Sequence, residues 1–128
     1  MPATVPPGLR LELSKSRVVE GMEDELDEWM AMLTDRYDEC VDTLAAERAV
    51  FEATFKHTEA DGSLWIYHVS LMGEDGAGLD ETNPVDAAHI AYGMRVKERG
   101  WEELQPMFMV TPAHLRVAME SWGATGAE

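Results

Sequence analysis

The chain has 128 residues, 45% of them hydrophobic, which suits one domain with its own core. Its 10 basic and 25 acidic residues give a net charge of -15, which would repel nucleic-acid phosphates and anionic lipids, so neither is an expected partner. No apolar run reaches the roughly 18 residues of a membrane span, and the single cysteine, Cys40, excludes an intramolecular disulfide, so we expect a cytoplasmic protein.

The first predicted element is a strand. Leu9, Leu11 and Leu13 alternate with polar residues, a period of two that is typical of a half-buried strand. The apolar character continues to Val18 and Val19, so the strand is expected to reach that point.

A single long amphipathic helix is predicted next, from Met22 to about Glu47. Its apolar residues recur at steps of three and four, which places them on one helix face. These positions are Leu26, Trp29, Met30, Leu33, Tyr37, Val41 and Leu44. The acids of its first turn, Glu23, Asp24 and Glu25, interact favourably with the helix dipole.

Two strands joined by a tight turn follow. Val50 to Thr58 alternates apolar and polar residues, Ala60 to Ser63 has the composition of a hairpin turn, and Leu64 to Met72 is the returning strand. One face of the returning strand is apolar or aromatic and the other is mixed, so the two faces should meet different surroundings. The apolar set is Trp65, Tyr67, Val69 and Leu71, and the mixed set is Leu64, Ile66, His68 and Ser70.

The last elements are a helix, a strand and a helical tail. Asn83 is suited to cap the second helix, Pro84 to occupy its first position, and Gly100 to close the segment. A strand is predicted at about Leu104 to Thr111, and a short helix at Ala113 to Ser121.

This βαββαβ order predicts an α+β fold, a ferredoxin-like two-layer sandwich. It would form one domain over residues 1–128, with a core at about 9–111 and a C-terminal tail at 112–128. Both helices are expected on one sheet face, because each crossover is right-handed. An apolar sheet face is costly to leave in water, so we expect a homodimer through the open sheet face, which would make a dimeric α+β barrel.

The segment VVEGMEDELDEWM resembles the strand, glycine and acidic-helix opening of the dimeric α+β barrel proteins. That group includes antibiotic-biosynthesis-type monooxygenases, haem-degrading monooxygenases and sugar mutarotases. Shorter motifs are similar to a bacterial family of unknown function, DUF6176. They are Arg36-Tyr37, Phe51-Glu52-Ala53, Gly73-Glu74 and Asn83-Pro84 to His89. The resemblance covers roughly Leu11 to Val110 and implies the fold and the dimer, but no single activity, because the superfamily hosts many.

His89 is the first candidate catalytic residue, on the sheet-facing side of the predicted second helix. Its imidazole could transfer protons, with Tyr92 one turn away as its partner. The resemblance also places His89 in the element whose histidine binds iron in haem-degrading barrel proteins. The alternative is a core histidine bonded to Asp86 or to a backbone carbonyl. Haem, nucleotide and metal motifs are otherwise missing from the sequence, so we expect no cofactor and no metal.

A second candidate set lies on the predicted sheet. If the strand order is 4-1-3-2, polar residues of three neighbouring strands share one surface. They are Glu12 and Ser14, His68 and Ser70, and Glu52 and Thr54. Glu52 with His68 is then the alternative acid/base pair, because burial moves carboxyl and imidazole pKa values towards neutrality. A hydrated polar interface without chemistry is the other interpretation.

Four aromatic residues are candidates for substrate binding: Trp29, Tyr37, Trp65 and Tyr67. They could line a pocket for a flat ligand, although the same spacing is typical of a core. The sequence therefore favours a small cofactor-independent enzyme that acts on a compact hydrophobic or aromatic metabolite by acid/base chemistry, of the isomerase, cyclase or monooxygenase type. A non-catalytic small-molecule-binding or sensory dimer and an interaction module without a ligand remain alternatives.

Overall fold

A computed structural model describes all 128 residues and has an α+β fold of four strands and four helices. The elements in chain order are β1 (Leu9–Arg17), α1 (Glu23–Asp35), α2 (Tyr37–Glu47), β2 (Ala49–Thr58), β3 (Leu64–Gly73), α3 (Pro84–Val96), β4 (Glu102–Leu104) and α4 (Ala113–Thr125). None of the helices combines the length and the apolar character needed to cross a membrane.

The four strands form one open antiparallel sheet. Its order, β2-β3-β1-β4, confirms the predicted order 4-1-3-2 and is compatible with a ferredoxin-like fold. In the predicted turn between β2 and β3, the backbone N–H of Glu59 donates to the carbonyl of Ser63. Gly62 in this turn has a φ of 86°, which a residue with a side chain rarely adopts. The hairpin therefore forms where the sequence predicts it.

The long helix predicted after the first strand is two helices in the structure. Arg36 separates α1 from α2, because its backbone angles, φ -106° and ψ 33°, are not helical. Near this break the thiol of Cys40 donates to the carbonyl of Leu33 at 3.8 Å. Burial raises the pKa of the Cys40 thiol, which disfavours its thiolate form. Hydrophobic spacing alone could not show the break, because the apolar positions keep the same period across it.

β4 is shorter than the strand predicted at 104–111. It occupies only Glu102–Leu104 and pairs with β1. Pro106 follows two residues later and has no N–H to donate to a strand ladder, so the pairing ends there. The segment after β4 leaves three large apolar side chains mostly in water: Met107, Phe108 and Val110.

The helices α1 and α3 cover one face of the sheet, which we call the helix face. Ile66 of β3 packs there with Trp29 of α1 and Val96 of α3 in the larger core cluster. Because side chains alternate along a strand, His68 and Ser70 lie on the helix face as well.

The opposite face, which we call the open face, is only partly covered. α4 contacts β2 and β3 at one end of it, and the smaller core cluster of Val5, Leu9 and Leu71 is buried there. Towards the other end, Phe55 is 59% exposed. No helix of the chain packs on this end of the open face, although the open face carries more apolar side chains than the helix face.

Candidate acid/base site on the helix face

The two candidate sets predicted from the sequence lie on the same side of the sheet. Strand register places Glu52 opposite Ser70 and Thr54 opposite His68, as predicted. The hydroxyl of Thr54 lies 3.3 Å from Nδ1 of His68. His68 is also close enough to His89 of α3 for its positive charge to lower the pKa of His89. The alternative pairs are therefore parts of one region between the sheet and the helices.

His89 is placed by a well-capped helix. The side chain of Asn83 accepts hydrogen bonds from the backbone N–H groups of Val85 at 3.0 Å and Asp86 at 3.3 Å, which sets the first turn of α3. His89 follows Asp86 by three residues, so both side chains lie on the same side of the helix. This start to α3 directs a carboxyl and an imidazole into one region.

The imidazole of His89 bonds to a tryptophan. Nε1 of Trp29 donates to Nδ1 of His89 at 3.0 Å, so the partner is neither of the two expected from the sequence. Burial lowers the pKa of His89, and the positive charges of Lys97 and His68 lower it further. At neutral pH the ring is therefore uncharged.

Tyr92 also lies beside Trp29, but it is held there by packing and not by a hydrogen bond. Its ring is parallel to that of Trp29, with centroids 6.4 Å apart, and the guanidinium of Arg95 lies 4.6 Å from the ring centroid on Tyr92. Trp29 is 3% exposed. Trp29 is therefore a core residue whose indole N–H alone takes part in the site, through its bond to His89.

Glu47 is a member of the site that the sequence reasoning missed. It ends α2, is 5% exposed and has no salt-bridge partner. Burial and the nearby negative charges of Glu52 and Asp86 raise the pKa of Glu47 to about 7. A hydrogen bond with the side chain of Thr43 acts in the opposite direction and lowers this pKa. The available signal was its position three residues after Leu44, where it extends the apolar stripe of the helix with an acid.

Asp86 lies close enough to both Glu47 and His89 to influence their charges. It is 6% exposed, and its charge acts on both Glu47 and His89. Its Oδ2 accepts the backbone N–H of Asp80 at 2.9 Å, which ties down the loop before α3. The same loop is held to α2 by a bond from the N–H of Ala77 to the carbonyl of Ala46. The loop therefore holds the end of α2 beside the start of α3.

The four aromatic residues predicted to bind substrate are not brought together. Trp29 is buried on the helix side, Trp65 and Tyr67 lie on the open face, and Tyr37 is 66% exposed at the start of α2. A single pocket formed by all four within one chain is thus ruled out by their positions.

Trp65 and Tyr67 instead form a polar and aromatic group with Lys15 of β1. Nζ of Lys15 lies 4.4 Å from the ring centroid of Trp65 and 3.4 Å from Oε1 of Glu59. The phenol of Tyr67 donates to Oε1 of Glu59 at 2.5 Å, and this bond raises the pKa of Tyr67. Tyr67 therefore remains a neutral phenol, suited to contact a ligand and not to act as a base.

Two surface depressions lie at the end of the sheet, away from His89. One of about 520 Å³ runs past Arg17, Gly21 and Asp61, and one of about 210 Å³ lies between Trp65 and Trp101. His89, Glu47 and Glu52 line neither of them.

His89 is poorly suited to bind haem iron or another metal. An imidazole binds a metal through a lone pair. The Nδ1 lone pair accepts from Trp29, and the proton of the neutral ring is then on Nε2. No group of three or more His, Cys, Asp or Glu side chains is arranged to hold a metal ion.

Comparison with known proteins identifies a family but no activity. A family model described as a family of unknown function, DUF6176, matches residues 9–117, which confirms the resemblance seen in the short motifs. No curated protein matches the chain.

Proposed function

The chain belongs to the DUF6176 family, and we propose that it is a small cofactor-independent enzyme that acts on a compact hydrophobic or aromatic metabolite by acid/base chemistry. The proposed site is the helix-face region that contains His89, Tyr92, Glu52 and His68, with Glu47 added to the set. A cytoplasmic setting belongs to the same proposal, and its support is the single cysteine, which cannot form a disulfide within the chain.

One observation carries this proposal: the helix face holds an imidazole and a carboxyl group whose pKa values are displaced in opposite directions. The pKa of His89 is lowered and that of Glu47 is raised to about 7. At neutral pH the imidazole is uncharged and the carboxyl is substantially protonated. Pairs of titratable groups with displaced pKa values are the usual means of acid/base catalysis near neutral pH.

The homodimer, and with it the dimeric α+β barrel, is the second part of the proposal. Its support is the composition of the open face. The residues of β1, β2 and β3 that face that way include no acid, although the whole chain has 25, and Glu102 of β4, which faces the same way, is paired with Lys15. They are Leu9, Leu11, Leu13, Lys15, Arg17, Phe51, Ala53, Phe55, His57, Trp65, Tyr67, Val69, Leu71 and Gly73. A second copy with the same charge of -15 can approach this face with least repulsion and bury its apolar side chains.

Light scattering of the purified chain tests the dimer. The expected mass is twice 14.3 kDa, and Phe55→Asp should give the monomer, because it places a charge within the proposed interface. Met94→Asp is the matched control: Met94 is 80% exposed, but on α3, away from the open face. A mass of 14.3 kDa for the unmodified chain would refute the dimer.

The enzyme proposal is tested by turnover of a panel of compact aromatic and hydrophobic metabolites, followed by NMR. For a substrate found in this way, His89→Ala and Glu52→Gln should fold and lose turnover by about a hundredfold or more. His114→Ala, an exposed histidine of α4, should retain it. Full activity in both His89→Ala and Glu52→Gln would remove the helix-face site from consideration.

A non-catalytic small-molecule-binding or sensory dimer is the second candidate. The group formed by Lys15, Trp65 and Tyr67 favours it, because two aromatic rings and a cation on the open face suit an aromatic ligand held between two sheets. In that case Trp65→Ala would abolish ligand binding while His89→Ala would leave it unchanged, and the ligand would be recovered chemically intact.

A further inference from the structure

The bond between Trp29 and His89 determines where the imidazole carries its proton. An indole nitrogen can only donate, so Nδ1 of His89 must accept with its lone pair. In the uncharged ring the proton is therefore on Nε2. Nε2 of His89 is a hydrogen-bond donor in this state and cannot accept a proton.

Trp29 is held too firmly to release this bond easily. Its ring is 3% exposed and packs with Leu26, Ile66 and Val96 in the larger core cluster. It also stacks on Tyr92 at an interplanar angle of 3°. Protonation of His89 at Nδ1 would set two N–H groups against each other, and the buried indole N–H would lose its acceptor.

We propose that Trp29 is a positioning residue that holds His89 as the neutral Nε2–H form, so that His89 donates to a substrate carbonyl oxygen while the carboxylate of Glu52 accepts the proton. This inference rests on the proposed function and narrows it to compounds with a C–H bond next to a carbonyl group. His89 is then a hydrogen-bond donor to the substrate, in place of the proton-transfer role predicted from the sequence.

The layout of the helix face suits this division of roles. Glu52 on β2 is opposite Ser70 and diagonal to His68, and His68 is close enough to His89 to act on its charge, so the three side chains border one region of the helix face. Glu52 is exposed and close enough to Glu47 for a hydrogen bond between the two carboxyl groups, whereas Glu47 is buried and Asp86 accepts the N–H of Asp80. Glu52 is therefore the most accessible of the three carboxyl groups.

The reaction step is a proton transfer that needs no oxidant. Glu52 removes the proton from the carbon next to the carbonyl, and the C–H electron pair forms a carbon–carbon double bond. The carbonyl π electrons move to oxygen, where Nε2–H of His89 stabilises the negative charge. Return of the proton from Glu52 to a different carbon of a conjugated substrate gives an isomer.

The protonation state of His89 is tested by NMR on the full chain with ¹⁵N-labelled histidine, with the His89 signals assigned from their loss in His89→Gln. The expected result is a proton on Nε2, none on Nδ1, and a titration midpoint below the ordinary value of about 6.5. Trp29→Phe keeps a ring in the core but removes the donor, so the ring should divide between its two neutral forms. Tyr92→Phe is the matched control and should keep the Nε2–H form.

A proton on Nδ1 in the unmodified chain, or a charged ring at neutral pH, would overturn the inference whether or not Trp29→Phe folds. The role of Glu52 has a separate readout: deuterium uptake from D₂O into acetophenone and phenylacetone at the carbon next to the carbonyl. Uptake catalysed by the unmodified chain and reduced by about a hundredfold or more in Glu52→Gln supports the assignment. Uptake unaffected by Glu52→Gln overturns it.

These two measurements separate the inference from the proposed function. A confirmed Nε2–H form without deuterium uptake would remove the carbonyl substrates and the role of Glu52 but keep the positioning role of Trp29. An enzyme that turns over another substrate class with His89 protonated on Nδ1 would keep the proposed function and overturn the inference.

Discussion

Replacing Glu47 by glutamine should make the stability of the protein less dependent on pH. Glutamine has nearly the same shape as glutamic acid but cannot ionise, so Glu47→Gln imitates the protonated acid at every pH. Glu47 is 5% exposed, and its pKa is raised from the ordinary 4.5 to about 7, mainly by burial.

The raised pKa of Glu47 determines how the stability of the protein changes with pH. Protonated Glu47 contributes stability that is fully present below about pH 4.5 and is lost as the pH rises through about 7. One pKa unit corresponds to about 1.4 kcal/mol, so a pKa raised from 4.5 to about 7 corresponds to a loss of about 3 kcal/mol in the free energy of unfolding. For a domain of this size that loss is about 10 °C in Tm.

The assay is urea unfolding of the unmodified chain and of Glu47→Gln at several pH values from 4.5 to 8.5. We expect the stability of Glu47→Gln relative to the unmodified chain to increase by about 3 kcal/mol over this range. Glu28→Gln, at an exposed position of α1, is the control and should leave the pH dependence unchanged. A constant difference between the unmodified chain and Glu47→Gln across the range would refute the reasoning, because it would mean that Glu47 titrates alike in the folded and unfolded states.

Two further predictions concern the loop between β3 and α3 and the residues that anchor it. Asn83→Ala should lower the free energy of unfolding by about 1 kcal/mol in urea, because α3 loses both capping bonds, whereas Asn83→Asp should retain most of the stability. Gly73→Ala should cost about 1 to 3 kcal/mol, since an added Cβ would meet the carbonyl of Gly123, and Gly78→Ala, which has open space around it, should be nearly neutral. Equal Tm values for Gly73→Ala and Gly78→Ala would show that β3 and α4 are not closely packed at Gly73.

Much of the fold could be predicted from local patterns. The alternation of Leu9, Leu11 and Leu13 and the Asn83-Pro84 cap are signals within a few residues, and both elements form as expected. The break at Arg36 could not be predicted in this way, because no proline or glycine marks it. The early end of β4 had a local signal, Pro106, which the apolar run around it obscured.

The candidate site was predicted in part. The register that brings Glu52 and Thr54 beside Ser70 and His68 followed from the strand order. Glu47 was missed, since a glutamate at the end of a helix usually lies in water and only the packing around it shows that it is buried.

The sequence by itself determined the order of strands and helices along the chain and the apolar character of one sheet face, because these depend on short-range spacing and composition. The tertiary structure decided which groups meet. Trp29 and His89 are 60 residues apart and become hydrogen-bonded only when α1 and α3 pack side by side on the sheet. The pKa values of His89 and Glu47 likewise depend on burial and on charges from other elements, which no local pattern records.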